Sequence, residues 1–468
     1  MATQDFTIWK DRFEAIDATI DDLLQQSEFT LPEGQPFRGL LERLRAFAQD
    51  QFNFFYDGFG AHQTYHLVPS REFHPEYVFK VTLEQVTTDL EFIRRASNQR
   101  LSSSETMQQA LDTADKLAWL ALSPVLGSDG LIQDENIAVI SYFEKEPTIR
   151  ILPYAPVALV GFPLTARLQP RDYLSIAHEI GHYVYRHGRL ADGRSIPQVL
   201  GWRLLEMGCA QWSRQWKEEI FADVYSCLVA GPLIGLTAQD LARQASITPL
   251  LESPKDYRIY GELTEDNGVH PVGAVRPYIY TTVLRAMDLD DVADKLDANW
   301  NNIPRVKEVT EFTPHVFNTG YERDSVDIDY ARHEVEETAE EVLNLLPNPH
   351  SNVWERWSGD PDEQVENVTE LYGSFNDRLP DLVAAVNLPS PSFLNLPTEE
   401  LSTLWANWVE KAQLFPGFPA GQPPRSPVAI EPGRAHKLEY VERDPNYTWI
   451  KVLHAGGWAT KIGNHGQG

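Results

Sequence analysis

Cysteine is almost absent: two residues, Cys209 and Cys227, in a chain of 468. Two thiols make no disulfide framework, and a chain this long can bury a core without one. Cys227 is expected in the core, with a single bridge to Cys209 left open. Long apolar runs are missing as well. The nearest, 151–164, is broken by Pro153, Pro156 and Pro163, so no membrane span is expected. The first residues, Met-Ala-Thr-Gln-Asp-Phe, have neither the basic patch nor the apolar stretch of a secretory leader. The expectation is a cytoplasmic protein, with export by a route lacking a cleaved signal left open. Basic charge is the third scarcity. Lys and Arg number 40 against 68 Asp and Glu, a formal net charge of −28. Nucleic acid needs basic stripes and is excluded as a partner; anionic membrane surfaces are disfavoured too. No internal repeat, phosphate-cradling Gly loop or G-x-S-x-G turn occurs.

What is present is ordinary globular composition, 42% hydrophobic and 23% charged. The reading is an α+β fold, mostly helical. Residues 1–125 form a helical N-terminal region, with Trp9, Phe13, Ile16, Ile20 and Leu23 at helical spacing, then Leu40, Leu41, Leu44, Phe47 and Phe55. Two further helical patterns lie near 81–97 and 104–122. Phe52, Phe54, Phe55, Tyr56 and Phe59 are expected as core between helices rather than as a groove lining. The period then shortens: 137–143, 148–154 and 157–162 read as three strands. Residues 157–161 are the candidate open edge, with an interior position as the alternative. Residues 126–300 make a second region, beginning with these strands, and 301–415 an acidic helical region. In the latter, Glu334, Glu336, Glu337, Glu340 and Glu341 read as a solvated face. Helical islands near 364–376 and 398–413 follow. Residues 416–468 form a Pro- and Gly-rich linker and a small β unit.

The chemistry concentrates in Ser175-Ile176-Ala177-His178-Glu179-Ile180-Gly181-His182-Tyr183, an H-E-x-x-H stretch in a helical pattern. Residues four apart share a helix face, so His178 and His182 can aim at one ion. Glu179 stands beside them, placed to take a proton from water. Gly181 would let another element approach closely. A second helix carries Glu219-Ile220-Phe221-Ala222-Asp223, E-x-x-A-D. A catalytic zinc takes three protein ligands, and Glu219 supplies the third. Asp223, four residues on, would accept the other N–H of a ligand imidazole and fix its tautomer. Glu218 competes as a ligand, but its own partner four residues on is Ala222, which orients nothing. Trp202, Trp212 and Trp216 lie close by, expected in the core rather than as cleft walls.

At these residues the chain resembles the gluzincin metallopeptidases, the thermolysin-like group. The resemblance spans roughly 135–285 and implies a zincin-type catalytic domain with a small β-sheet beside the H-E-x-x-H helix. It implies His178, His182 and Glu219 as zinc ligands and Glu179 as general base. The metzincin pattern needs Gly at 185 and His at 188; Tyr185 and Gly188 stand there. In several gluzincin families an H-x(5)-R pair holds the oxyanion, and His270 and Arg276 have that spacing. Asp266-Asn267-Gly268-Val269-His270 also looks like the stretch around the thermolysin transition-state histidine, with one Gly fewer. A helix N-terminus with Arg276 in a surface ion pair is the alternative, and Tyr278 and Tyr280 are reserve donors. The expected activity is hydrolysis of a peptide or protein substrate with Zn2+ as cofactor. Two rivals are an effector or toxin protease with one target, and a non-catalytic zinc-site sensor. Oligomeric state and endo- versus exopeptidase action are not legible.

Overall fold

The computed structural model describes residues 6–30, 34–60, 66–69, 74–127, 129–132, 137–152, 154–245, 261–264, 266–315, 324–346, 353–359, 370–389, 435–443, 448–454 and 457–463. It is mostly helical, with small sheets of four, three and two strands among the described residues, the three-stranded mixed one lying at residues 138–163.

Four long helices open the chain: α1 (Thr7–Leu24), α2 (Gln35–Phe59), α3 (Pro75–Ser102) and α4 (Glu105–Leu122), with the short strand β1 (His66–Val68) between α2 and α3. Proline stands in the first turn of α2 and α3, where a helix has no use for the missing N–H. The expected apolar stripes turn inward: Phe13, Ile20 and Leu23 of α1 meet Leu40, Leu44, Phe52 and Phe55 of α2.

Strands β2 (Ala138–Glu144), β3 (Thr148–Ile151) and β4 (Val157–Pro163) then form a sheet in the order β2-β4-β3. β4 runs parallel to β2 and antiparallel to β3. The candidate open edge at 157–161 is therefore wrong: β4 is the central strand, and β2 and β3 flank it. The physical reason is visible in the residues. β4 is an uncharged run, Val-Ala-Leu-Val-Gly-Phe-Pro, as a strand covered on all sides requires. β3 carries Arg150 and β2 ends on Glu144.

The sheet separates two cores. Ala138, Ile140, Tyr142, Val157 and Leu159 face the core shared with α1–α3. Their neighbours Val139, Phe143, Ile149, Ala158, Val160 and Phe162 belong to the other core, which α4 joins. The aromatics Phe52, Phe54 and Phe55 are buried in the first core, as expected.

Past the sheet the chain is again helical: α5 (Ser175–His187), α6 (Ile196–Met207), α7 (Gln211–Gln215), α8 (Lys217–Ala230), α9 (Pro232–Ala245), α10 (Gly261–Thr264), α11 (Arg276–Ala286), α12 (Asp290–Asn301) and α13 (Pro304–Glu308). The two-stranded pair β5 (Glu311–Phe312) and β6 (Val326–Asp327) leads into α14 (Ile328–Leu345), α15 (Val353–Ser358) and α16 (Glu370–Ala384). Residues of these last three helices, among them Val335, Trp357 and Phe375, share the second core with α5 and α8. Glu334 departs from the solvated-face reading. It is 4% exposed and takes the Ser213 hydroxyl, the Ala210 N–H and, at 2.8 Å, the Tyr330 hydroxyl. Its acidic neighbour Glu340 is exposed.

Finally β7 (Ala435–Arg443), β8 (Thr448–His454) and β9 (Gly457–Gly463) form an antiparallel meander, and β7 pairs in parallel with β1. The expected helical island at 398–413 and the linker from 416 lie outside the described residues. Cys209 and Cys227 are both free thiols and both buried. No helix among the described residues is long and apolar enough to cross a membrane.

Candidate metal centre

α5 and α8 cross in direct contact, and glycine sets how closely. A Cβ placed on Gly181 would stand 2.7 Å from Cα and 2.9 Å from the carbonyl oxygen of Ala222. No side chain fits there, so the two backbones touch at the Gly181–Ala222 level. His178 and His182 lie on that face of α5, and Glu219 lies one turn before Ala222 on α8. The element expected to approach Gly181 is thus the one that carries the third ligand candidate.

The three donor atoms converge. His178 Nε2 lies 3.1 Å from His182 Nε2 and 3.4 Å from Glu219 Oε2, and His182 Nε2 lies 3.5 Å from Glu219 Oε1. Zinc–ligand arms of about 2.0–2.1 Å in a tetrahedron put neighbouring donors about 3.4 Å apart. With one oxygen of Glu219 facing each imidazole, His178, His182 and Glu219 form a group that could hold a metal ion.

The surrounding charge asks for one. Four carboxylates, Glu179, Glu218, Glu219 and Asp223, face two guanidiniums, Arg186 and Arg276. With both imidazoles neutral and all four carboxylates ionised, the surplus is two negative charges in a buried setting, which protons on the imidazoles or a divalent cation would offset. His178 registers the same field. Burial works against its charged form, but Asp223 and then Glu219 outweigh burial and push its pKa up to about 10. A bound cation would take that proton's place.

Compared with models of protein families, with curated proteins and with solved structures, the chain matches none. The chemistry therefore has to be argued from the centre's own residues.

Each imidazole is backed by a carboxylate, and each carboxylate by an arginine. His178 Nδ1 lies 2.9 Å from Asp223 Oδ1, close but too oblique for a straight hydrogen bond. Asp223 in turn accepts from Arg276 Nε at 2.7 Å and Nη2 at 2.8 Å, and from the Tyr280 hydroxyl at 2.5 Å. Burial would raise the Asp223 carboxyl, but the Arg276 charge and the His178 contact hold it down at about 2. On the other side, His182 Nδ1 is 3.3 Å from Glu218 Oε1, which also accepts from Arg186 Nε at 2.9 Å. Glu218 was read from the sequence only as a rival ligand. Its role as the carboxylate behind His182 was missed, and so was Arg186. The available signal was Arg186 four residues after His182, on the same face of α5.

Glu179 is 7% exposed, and no donor hydrogen-bonds its carboxylate among the described residues. Burial raises its pKa, with His178 and His182 pulling the other way. A buried carboxylate of raised basicity beside a group that could hold a cation is suited to accept a proton.

The segment before α11 completes the centre. His270 Nε2 lies 3.3 Å from Glu219 Oε1, and nearly half of the His270 side chain is exposed. Arg276 opens α11, and besides Asp223 it reaches Glu219 Oε2 at 3.3 Å. Its alternative reading as a surface ion pair does not hold, because Asp223 is fully buried. Of the reserve donors, the Tyr280 hydroxyl is engaged on Asp223, and Tyr278 donates to Asn301 Oδ1 at 2.6 Å, away from the ligands. Trp212 and Trp216 are buried, as expected; Trp202 is 46% exposed.

Proposed function

We propose that the chain is a zinc-dependent peptidase of gluzincin type. The observation that supports this most is the tetrahedral spacing of His178 Nε2, His182 Nε2 and Glu219, with the donor-free Glu179 beside them. Two imidazoles and one carboxylate are a donor set that suits zinc and leaves a position open. When bound, zinc supplies a Lewis acid that polarises a carbonyl and acidifies water.

The chain's own residues do the rest. Glu179 takes the proton of the attacking water and passes it to the departing amine. His270, 3.3 Å from Glu219 Oε1, donates toward the oxygen on which negative charge develops. Asp223 and Glu218 hold the two imidazole rings in place, and Arg276 and Arg186 hold those carboxylates.

The test is metal content together with turnover on a peptide library. The wild-type chain is expected to bind one zinc and to cleave. Glu179→Gln should keep the zinc and lose hydrolysis by about 100-fold to 10,000-fold, the scale of a lost general base. Undiminished turnover in that variant would remove Glu179 from the reaction. Zinc bound with no cleavage of any library peptide would favour the single-target protease or the sensor.

A further inference from the structure

His270 reaches the centre from a loop, so something must set which of its ring nitrogens carries the proton. Asn267 does so through a chain of constraints. Its Oδ1 accepts the backbone N–H of Val269 at 3.0 Å and of His270 at 2.9 Å. Two donors on that oxygen fix the amide's orientation, an assignment otherwise open to a flip. The amide nitrogen Nδ2 is thereby left facing the ring, 3.0 Å from His270 Nδ1, whereas Oδ1 is 3.4 Å from it. An amide NH2 only donates, so the Nδ1 it faces must accept. The ring proton then sits on Nε2, the nitrogen that points at Glu219 Oε1 from 3.3 Å.

The loop is itself anchored. Asp266, 8% exposed, accepts from Gly268 N at 2.8 Å, Trp216 Nε1 at 3.0 Å and His315 N at 2.7 Å. Three donors from three parts of the chain leave it no part in holding the His270 ring. Gly268 turns with φ 79°, a conformation suited to glycine, and brings Asn267 and His270 together.

We propose that Asn267 is the positioning residue that fixes His270 as the neutral Nε2–H tautomer, so that the ring offers the centre a hydrogen-bond donor and not a proton acceptor. The tautomer stands on the loop geometry alone; only its catalytic use rests on the peptidase reading.

The experiment is long-range proton–nitrogen NMR on the full chain with labelled histidine rings, the His270 signals being assigned by their loss in His270→Gln. Wild type should show a protonated Nε2 and a bare Nδ1. Asn267→Asp keeps an oxygen for the two backbone donors but turns the facing atom into an acceptor. It should move the proton to Nδ1 or add a second proton. A wild-type ring protonated on Nδ1, or an unchanged pattern in Asn267→Asp, overturns the proposal. In turnover, Asn267→Asp should lower kcat by about 10-fold to 100-fold, with KM within about twofold. The expected nitrogen pattern in a chain that cleaves nothing would uphold the tautomer and count only against the hydrolytic reading.

Discussion

Two buried charge clusters in this molecule are built on opposite terms. In the first core, Asp89 of α3 and Arg150 of β3 form an ion pair, with Arg150 Nε at 2.9 Å and Nη2 at 2.7 Å from Asp89 Oδ1. Asp89 is fully buried, and its second oxygen takes Gln85 Nε2 at 3.0 Å. That pair matches one charge with its opposite, and it ties a helix to a strand. Between α5 and α8, four carboxylates meet only two arginines, and the balance falls to the two imidazoles or to an ion. Burying unbalanced charge costs free energy that structure alone has no reason to spend. The lesson is that surplus sign, more than burial or pKa, separates a site from a brace.

Asp89→Ala tests the brace. It strands Arg150 in the core and should cost about 3–5 kcal/mol in denaturant unfolding, while zinc content stays at the wild-type level. A loss of zinc in that variant would break the separation between the clusters. Glu219→Gln tests the other side. It should abolish zinc uptake yet shift the melting temperature of the metal-free chain far less than Asp89→Ala does. Gly181→Ala should cost about 1–3 kcal/mol, because its Cβ would collide with the Ala222 backbone. It should also weaken zinc binding by spreading the donors, which a competition titration with a chelator would read. Glu218→Gln should loosen His182 and reduce zinc affinity about 10-fold to 100-fold; an unchanged affinity would show that Glu218 serves Arg186 alone.

One further effect is silent at neutral pH and grows only as the pH falls. Burial holds His187 neutral and, with Arg189 and Arg186 nearby, lowers its pKa to about 3. Unfolding frees it to take up a proton at its ordinary pKa of 6.5. Between those values the unfolded chain binds the extra proton, so stability falls as pH falls, by up to about 1.4 kcal/mol per pH unit. His187→Phe should flatten that part of the unfolding profile.

The centre was more legible than the fold around it. His178, His182, Glu219 and Asp223 were readable because each pair lies four residues apart on one helix, and helical period is a local property. Glu218 was misjudged for the same reason: its partner was sought along α8 at Ala222, whereas it lies across the crossing at His182. The strand order failed because strands buried on both faces look alike in hydrophobicity, and position within a sheet is set by long-range pairing. Glu334 was hidden inside an acidic run, although it shares a face with the buried Ala331, Val335 and Thr338. Helix existence in the N-terminal region came through well, since stripes such as Phe13, Ile20 and Leu23 repeat over several turns.

Gly181 has a consequence beyond tolerance of mutation. Where two helices rest on main-chain atoms, their separation is governed by steep repulsion instead of by soft, repackable side chains. A coordination cage built on that crossing would then be rigid before any ion arrived. Loading should release a modest heat-capacity signal in calorimetry, and amide exchange along α5 and α8 should be nearly the same in loaded and unloaded protein.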